Sequence, residues 1–145
     1  MRVAWGRPAG AAAGRTCPDL PLLAGGKSMG GRMTSRAAAA APLEAVRGLV
    51  FFGFPLHPAG RPGTERGDHL AQVTVPMLFL QGDRDKLADL ELLEPICRRL
   101  GDRAALYVSA GADHSFHVLK RSGRSDDEVL DEITGELQRW AEGLI

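Results

Sequence analysis

The sequence predicts an α/β fold in which helices cover both faces of a parallel β-sheet. Short, continuous apolar runs recur along the chain, as is typical of strands that are buried on both faces. Segments with apolar residues at helical spacing alternate with these runs, which favours parallel pairing through helical crossovers. The length of 145 residues suits a single domain.

The composition indicates a folded protein and argues against several classes of partner. Hydrophobic residues make up 44% of the chain and charged residues 25%. Eighteen basic and eighteen acidic residues give a formal net charge of zero, which offers no electrostatic footprint for nucleic acid or an anionic membrane. No apolar run approaches the roughly 20 residues of a membrane-spanning helix, and the first residues lack the apolar stretch of a signal peptide. We therefore expect a cytoplasmic protein with no nucleic-acid and no membrane partner.

The first elements follow an N-terminal stretch that has no regular period. Residues 1–18 mix Gly, Ala, Arg and Pro, which predicts an irregular or unrelated segment ahead of a domain over residues 19–145. The apolar run at 20–24 predicts the first strand. Gly25 and Gly26 close that run, so we expect a tight turn there.

A helix and a second strand come next. Residues 29–41 are rich in Ala and stop at Pro42, which predicts a helix. Arg32 and Arg36 lie one helical turn apart, and we expect them to be solvated or ion-paired. The apolar run at 48–54 predicts the second strand.

The third and fourth strands flank another helix. A loop dense in Pro and Gly spans 55–68, and the run at 76–80 predicts the third strand. A helical apolar stripe covers 87–100, where Pro95 implies a kink or a later start. The run at 104–108 predicts a short fourth strand.

The last helix has the clearest signature. Ser125 and Glu128 form a capping-box pattern at its start. Its apolar residues repeat at helical spacing along one face: Val129, Ile133, Leu137, Trp140 and Leu144.

Residues 26–30, GKSMG, fit the pattern G-x-S-x-G directly after the first strand. In parallel sheets ligands bind at the carboxyl ends of strands, and a serine on a sharp strand-to-helix turn exposes its hydroxyl there. Ser28 is therefore the candidate nucleophile, and the small residues Gly26 and Gly30 are expected to avoid Cβ clashes. The backbone N–H of Met29 is the candidate oxyanion donor. The alternative is a Gly-rich turn in which the serine caps the helix.

Two phosphate-binding patterns fit the same residues poorly. Gly26, Lys27 and Ser28 look like the end of a P-loop, but Pro21 stands where that motif needs its first glycine. The second strand ends at Gly53 rather than at a magnesium-binding Asp. The dinucleotide pattern fails because a serine replaces its second glycine.

A serine nucleophile needs a base that an acid orients, and two later strand ends offer both. Asp85 is the candidate orienting acid, with Asp83 as the second choice. His114 is the candidate general base, although His117 could be confused with it. The order Ser28, Asp, His is that of α/β-hydrolases. Taken singly, each residue has a simpler explanation as a helix cap or a surface side chain.

The other potential ligands indicate neither a metal nor a cofactor. Cys17 and Cys97 lie in no metal-binding pattern, which predicts two reduced structural thiols. His57 and His69 lie in or beside the Pro- and Gly-rich loop, too far apart for a ligand set, and we expect both on the surface. That loop could shape a substrate entrance.

Three motifs together resemble a known family. Residues 26–30, 82–85 and 111–114 look like the nucleophile elbow, acid turn and histidine loop of the α/β-hydrolase superfamily. The longer phrases LLAGGKSMGGRM, PMLFLQGDRD and GADHSFHVLK are similar to its dienelactone-hydrolase-like group, related to the third regulatory subunit of the NSL chromatin complex.

The resemblance implies a serine-hydrolase-like domain. It places Ser28, Asp85 and His114 on the triad positions and Met29 on one oxyanion position. A complete α/β-hydrolase has several strands before its elbow, and residues 1–16 do not look like them. We therefore expect only the C-terminal half of the fold, behind an unrelated or misassigned start.

The expected function is hydrolysis of an ester, thioester or similar acyl bond in a small molecule, if the missing front half is supplied. The alternatives are a non-catalytic interaction domain and a truncated, inactive fragment. Without its usual neighbours the first strand becomes a sheet edge, which predicts self-association there.

Overall fold

The computed structural model describes residues 20–144, together with Ala12 and Arg15. The remainder of the predicted irregular segment, with Cys17, lies outside the described residues. The domain boundary near residue 19 therefore stays a prediction.

Four parallel strands form one sheet, as the sequence predicts. Their order in the sheet is the order in the chain. The strands are β1 (Leu22–Lys27), β2 (Val46–Phe52), β3 (Met77–Gly82) and β4 (Ala104–Ser109). Within the described residues β1 and β4 are the two edges, so the first strand has the edge position that we expected.

Within residues 20–144, three α-helices cover the sheet on both faces. They are α1 (Met29–Ala40), α2 (Leu90–Leu100) and α3 (Asp126–Glu142). Short 3-10 helices cover Glu65–Gln72, Gly101–Arg103 and Lys120–Ser122. No helix within residues 20–144 has the length and apolar character needed to cross a bilayer.

The strands divide the core into two layers because successive side chains point to opposite faces. Phe51 and Phe79 pack with α1 and α2 on one face, and their ring centroids lie 4.8 Å apart. Val50 and Leu78 pack with Ile133 of α3 on the other face. This arrangement confirms the predicted α/β layers.

The predicted turn at Gly25 and Gly26 is wrong, because β1 continues through both glycines to Lys27. A Cβ on Gly25 would lie 1.9 Å from the carbonyl oxygen of Val50 on β2. Gly25 therefore allows β1 and β2 to approach each other closely, and the sharp turn occurs at Ser28.

Other boundaries differ from the prediction by a few residues. β2 ends before Gly53, whose φ of 67° does not fit an extended strand. α2 begins late, since the side chain of Asp89 caps it by accepting a hydrogen bond from Glu91 N at 2.9 Å. Pro95 remains inside that helix. The 3-10 helix Glu65–Gln72 begins within the predicted loop.

The capping box of α3 is present with both of its hydrogen bonds. Glu128 N donates to Ser125 Oγ at 3.2 Å, and Ser125 N donates to Glu128 Oε2 at 2.6 Å. Leu144 lies beyond the end of the helix but packs with Trp140 over Gly48.

Candidate active site

Ser28 lies on the turn between β1 and α1 in a strained backbone conformation. Its φ is 52° and its ψ is −122°, a combination that non-glycine residues rarely adopt. Its N–H donates to Phe52 O at 2.9 Å, which ties the turn to the end of β2. The side chain makes no capping hydrogen bond to α1, so the alternative of a helix-capping serine does not hold.

The glycines around this turn differ from the expectation at one position. A Cβ on Gly26 would lie 3.1 Å from Gly31 N, and one on Gly31 would lie 2.5 Å from Gly26 O. A Cβ on Gly30 would meet nothing within 4 Å. The close crossing therefore joins Gly26 to Gly31, which the motif did not single out, and Gly30 has no steric role here.

The structure brings the three predicted side chains together in one hydrogen-bonded row. His114 Nε2 lies 2.8 Å from Ser28 Oγ. His114 Nδ1 lies 2.7 Å from Asp85 Oδ2. Gly53 makes room for the imidazole, because a Cβ there would lie 3.2 Å from His114 Nδ1. Such a row can transfer a proton from the hydroxyl to the imidazole.

Asp85 is held by more partners than the sequence indicated. Its side chain is fully buried, and Oδ1 accepts a hydrogen bond from Leu87 N at 2.8 Å. Gln81 Nε2 donates to Oδ2 at 2.5 Å. Gln81 is also fully buried, and its Oε1 accepts from Phe54 N at 3.0 Å. The sequence contains one signal for this role, because Gln81 is an amide residue in an otherwise apolar strand.

Asp83, the second choice for the orienting acid, does not contact His114. Its Oδ1 accepts from Gly111 N at 2.8 Å, while Arg84 Nη1 donates to Gly111 O at 3.0 Å. Arg84 N also donates to Ala112 O at 2.9 Å. These bonds tie the acid turn to the histidine loop.

His117 points to a different partner from His114. Its Nδ1 lies 2.8 Å from Asp126 Oδ2, on the exposed first turn of α3. The hydrogen bond to Asp126 raises the pKa of His117. Asp113 organises the loop between the two histidines, since its Oδ1 accepts from Ser115 N at 2.8 Å and from His117 N at 3.1 Å.

His57 is not the surface residue that we expected. It is 4% exposed, and Nδ1 donates to Pro58 O at 2.9 Å while Nε2 accepts from Asp89 N at 2.8 Å. His57 N also donates to Leu87 O at 2.9 Å. The start of the Pro- and Gly-rich loop therefore packs against the segment that follows the acid turn, which composition alone does not reveal.

His69 lies on the 3-10 helix Glu65–Gln72 and is half-buried against α1, again contrary to the expectation. Its Nε2 lies 2.7 Å from Ser35 Oγ. Burial, with the positive charges of Arg32 and Arg36, lowers the pKa of His69 to about 4, against a smaller opposite effect of Asp68. The ring is neutral at pH 7.

Arg32 is neither fully solvated nor ion-paired within the described residues, although we expected one or the other. Its Nε is buried and has no hydrogen-bond partner among residues 20–144, and no ion pair there includes Arg32 or Arg36. Burial, Arg66 and Arg36 lower the pKa of Arg32. Arg36 is exposed, as expected.

Met29 is the first residue of α1, so its N–H has no acceptor within the helix. This donor stands beside Ser28 at the positive end of the helix dipole. A cavity of about 450 Å³ lies beside the acid turn and is lined by Asp85 and His57, but not by Ser28 or His114. No group of three or more potential metal-ligating side chains occurs in the described part of the chain.

The sequence matches the family model described as "Alpha/beta hydrolase domain" over residues 9–142. This match covers most of the chain and includes every residue of the hydrogen-bonded row.

Several solved structures share the fold. A Xanthomonas campestris protein described as an α/β serine hydrolase without a lid has 25% identity and a TM-score of 0.64, with 91% of this chain and 53% of that one covered. A proposed dienelactone hydrolase from Klebsiella pneumoniae has 22% identity and a TM-score of 0.65, with 92% and 57% covered. An esterase domain from Rhodothermus marinus has 19% identity and a TM-score of 0.61, with 90% and 65% covered.

The last two likenesses concern the fold alone, because their identities are low. The chain spans 53 to 65% of the length of these three structures.

Proposed function

Because this chain belongs to the alpha/beta hydrolase domain family, whose model matches residues 9–142, we propose that it is a serine hydrolase. Its substrate is an ester, thioester or similar acyl bond in a small molecule. The observation that carries the proposal is the hydrogen-bonded row in which His114 joins Ser28 at 2.8 Å and Asp85 at 2.7 Å. The relative from Xanthomonas campestris, described as a serine hydrolase, supports the same reaction class.

The mechanism assigns one task to each side chain. Ser28 Oγ attacks the acyl carbonyl carbon while His114 Nε2 takes the hydroxyl proton. The carbonyl oxygen becomes an oxyanion, which the N–H of Met29 stabilises. His114 then returns the proton to the leaving oxygen or sulfur, and an acyl-serine remains. Water attacks this ester by the same steps in the second half of the reaction.

Asp85 acts on the imidazole rather than on the substrate. Its carboxylate accepts the Nδ1 hydrogen of His114, which leaves Nε2 free to receive the proton from the serine. It also stabilises the imidazolium that forms during the attack.

The finer features of the proposal rest on the sequence. The proposed absence of a nucleic-acid partner rests on the net charge of zero, and the proposed cytoplasmic location rests on the lack of a long apolar run in the sequence. The proposed relationship to the NSL-related group rests only on the three sequence segments LLAGGKSMGGRM, PMLFLQGDRD and GADHSFHVLK. A non-catalytic interaction domain is not favoured, since a serine hydrolase is among the structures that the chain resembles.

The test is covalent labelling of the purified chain with a fluorophosphonate probe. We expect labelling that Ser28→Ala abolishes, because only an activated serine attacks this phosphorus centre. Ser115→Ala is the matched control, since Ser115 is exposed directly beside His114, and it should label like the wild type.

Circular dichroism run in parallel confirms that each variant is folded. A folded wild-type chain that stays unlabelled, or labelling that survives in Ser28→Ala, would contradict the proposal.

A further inference from the structure

Gln81 links two strand ends through a buried side-chain amide. It lies on β3, is fully buried, and follows a run of apolar residues. Its Oε1 accepts from Phe54 N at 3.0 Å, and its Nε2 donates to Asp85 Oδ2 at 2.5 Å. A buried amide destabilises a fold unless its hydrogen bonds are made, and here both ends have partners.

The chemistry of the partners fixes which way this amide points. The oxygen and nitrogen of a glutamine amide have nearly the same shape, so the hydrogen bonds decide the orientation. The backbone N–H of Phe54 can only donate, so the oxygen of Gln81 must face it. The nitrogen then faces Asp85 and donates to Oδ2.

Asp85 consequently meets hydrogen-bond donors on both of its oxygens. Leu87 N donates to Oδ1 at 2.8 Å, and Gln81 donates to Oδ2. His114 Nδ1 contacts the same Oδ2 at 2.7 Å, and a carboxylate only accepts, so Nδ1 carries the hydrogen. His114 Nε2 is then the acceptor for the hydroxyl of Ser28.

We propose that Gln81 is a positioning residue that fixes the rotation of Asp85 and thereby holds His114 in the Nδ1–H tautomer. Gln81 does not touch the substrate, and it acts only through Asp85. The proposal rests on the proposed serine-hydrolase function for its effect on rate, but not for its effect on the tautomer. The titratable side chains in this row are Asp85 and His114, and His57 bonds to Leu87 and Asp89 just after the acid turn.

The first experiment uses Gln81→Met, which keeps the length of the side chain and removes both hydrogen bonds. Nitrogen NMR of chain labelled with ¹⁵N-histidine reports which ring nitrogen of His114 carries the proton. We expect one Nδ1–H tautomer in the wild type and a mixture of tautomers in the variant. We also expect the fluorophosphonate rate at saturation to fall about ten- to hundredfold with little change in the half-saturating concentration, as for the loss of one hydrogen bond to a charged group.

The second experiment uses Gln81→Glu, which keeps the acceptor for Phe54 N. The introduced carboxyl group must bind a proton to donate to Asp85, and when ionised it repels that carboxylate. The labelling rate of the variant, divided by that of the wild type at the same pH, should therefore fall as pH rises. Gln72→Glu is the matched control because Gln72 is exposed at the end of a 3-10 helix, and its ratio should stay flat.

The outcomes separate the two proposals. An unchanged tautomer in Gln81→Met with a rate within about twofold of the wild type would overturn the role of Gln81, as would a flat ratio for Gln81→Glu. If Gln81→Met does not fold, the pH dependence of the labelling ratio of Gln81→Glu decides whether Gln81 has this role. A wild type that is never labelled overturns the hydrolase proposal, and the tautomer of His114 alone then decides the role of Gln81. A departure from the wild-type Nδ1–H tautomer in Gln81→Met, or in Gln81→Glu at a pH at which its introduced carboxyl group is ionised, supports that role, and an unchanged tautomer overturns it.

Discussion

The half-buried ring of His69 makes part of the stability of the protein depend on pH. Ser35 Oγ donates to Arg32 O at 2.8 Å, so the hydrogen in its 2.7 Å contact with His69 comes from Nε2. The pKa of His69 is lowered from 6.5 to about 4. The unfolded chain therefore binds a proton at a higher pH than the folded chain does.

Stability that depends on His69 should be present above pH 6.5 and should be lost as pH falls toward about 4. We expect a loss of about 1–2 kcal/mol, reduced from the full conversion because the ring is half-exposed. Urea unfolding at pH 7 and at pH 4.5 checks this in the wild type and in His69→Gln, which keeps an amide donor near Ser35. An equal loss in both proteins would contradict the prediction.

The sequence singled out the three side chains that the fold brings into one hydrogen-bonded row, and it missed the residues that support them. Ser28, Asp85 and His114 stand at strand ends in a recognisable order. Gln81 was missed because its partner Phe54 N lies 27 positions away in the chain, a contact that no local pattern encodes. His57 was placed on the surface for the same reason, since only the folded chain brings Leu87 and Asp89 next to it.

At the level of the elements, the approach of β1 to β2 depends on a strand glycine. Gly25→Ala places a Cβ 1.9 Å from Val50 O, so β1 must move away from its neighbour. We expect a destabilisation of about 3 kcal/mol or more and a loss of fluorophosphonate labelling, because Ser28 directly follows this strand.

Gly30→Ala is the control for this prediction. A Cβ there meets nothing within 4 Å, and alanine favours a helix over glycine by up to about 1 kcal/mol. Urea unfolding of both variants measures the difference. Similar stabilities for the two would contradict the structure at β1.

The type of each helix and strand was predictable because apolar periodicity is a local property of the sequence. The residues at which several of these elements begin or end were not predictable. Two successive glycines are typical of a turn, but here Gly25 is needed because the backbone of β2 lies too close to leave room for a side chain. α2 starts where Asp89 can cap it, and that residue is fixed from outside by its bond to His57. Boundaries that depend on tertiary contacts cannot be predicted from the local sequence pattern.

At the level of the whole molecule, the edge position of β1 predicts self-association. Within residues 20–144 no strand pairs with β1 on the side away from β2, and Leu20 beside it is 68% exposed. Sedimentation velocity over a range of concentrations should show association that Leu20→Lys weakens.

Leu130→Lys is the matched control for that experiment. Leu130 is 53% exposed on α3, which packs mainly against β3 and β4 rather than β1, so its substitution should leave the association unchanged. A wild type that sediments as one monomer at every concentration would contradict the prediction.

The fold class followed from the alternation of strands and helices, but the order of the strands did not. Apolar runs identify buried strands without saying which of them are neighbours. The sequential order became visible only from the register, in which Leu49 pairs with Met77 and Met77 with Ala104.

The row of hydrogen bonds joins the two edges of the sheet, since Ser28 follows β1 and His114 follows β4. The contact between them spans 86 positions of the chain. Helices form from local contacts on a short timescale, whereas contacts of such long sequence separation slow folding. A refolding chain can therefore regain its helices before Ser28 and His114 come within hydrogen-bond distance, so its helix content does not report whether the row has formed.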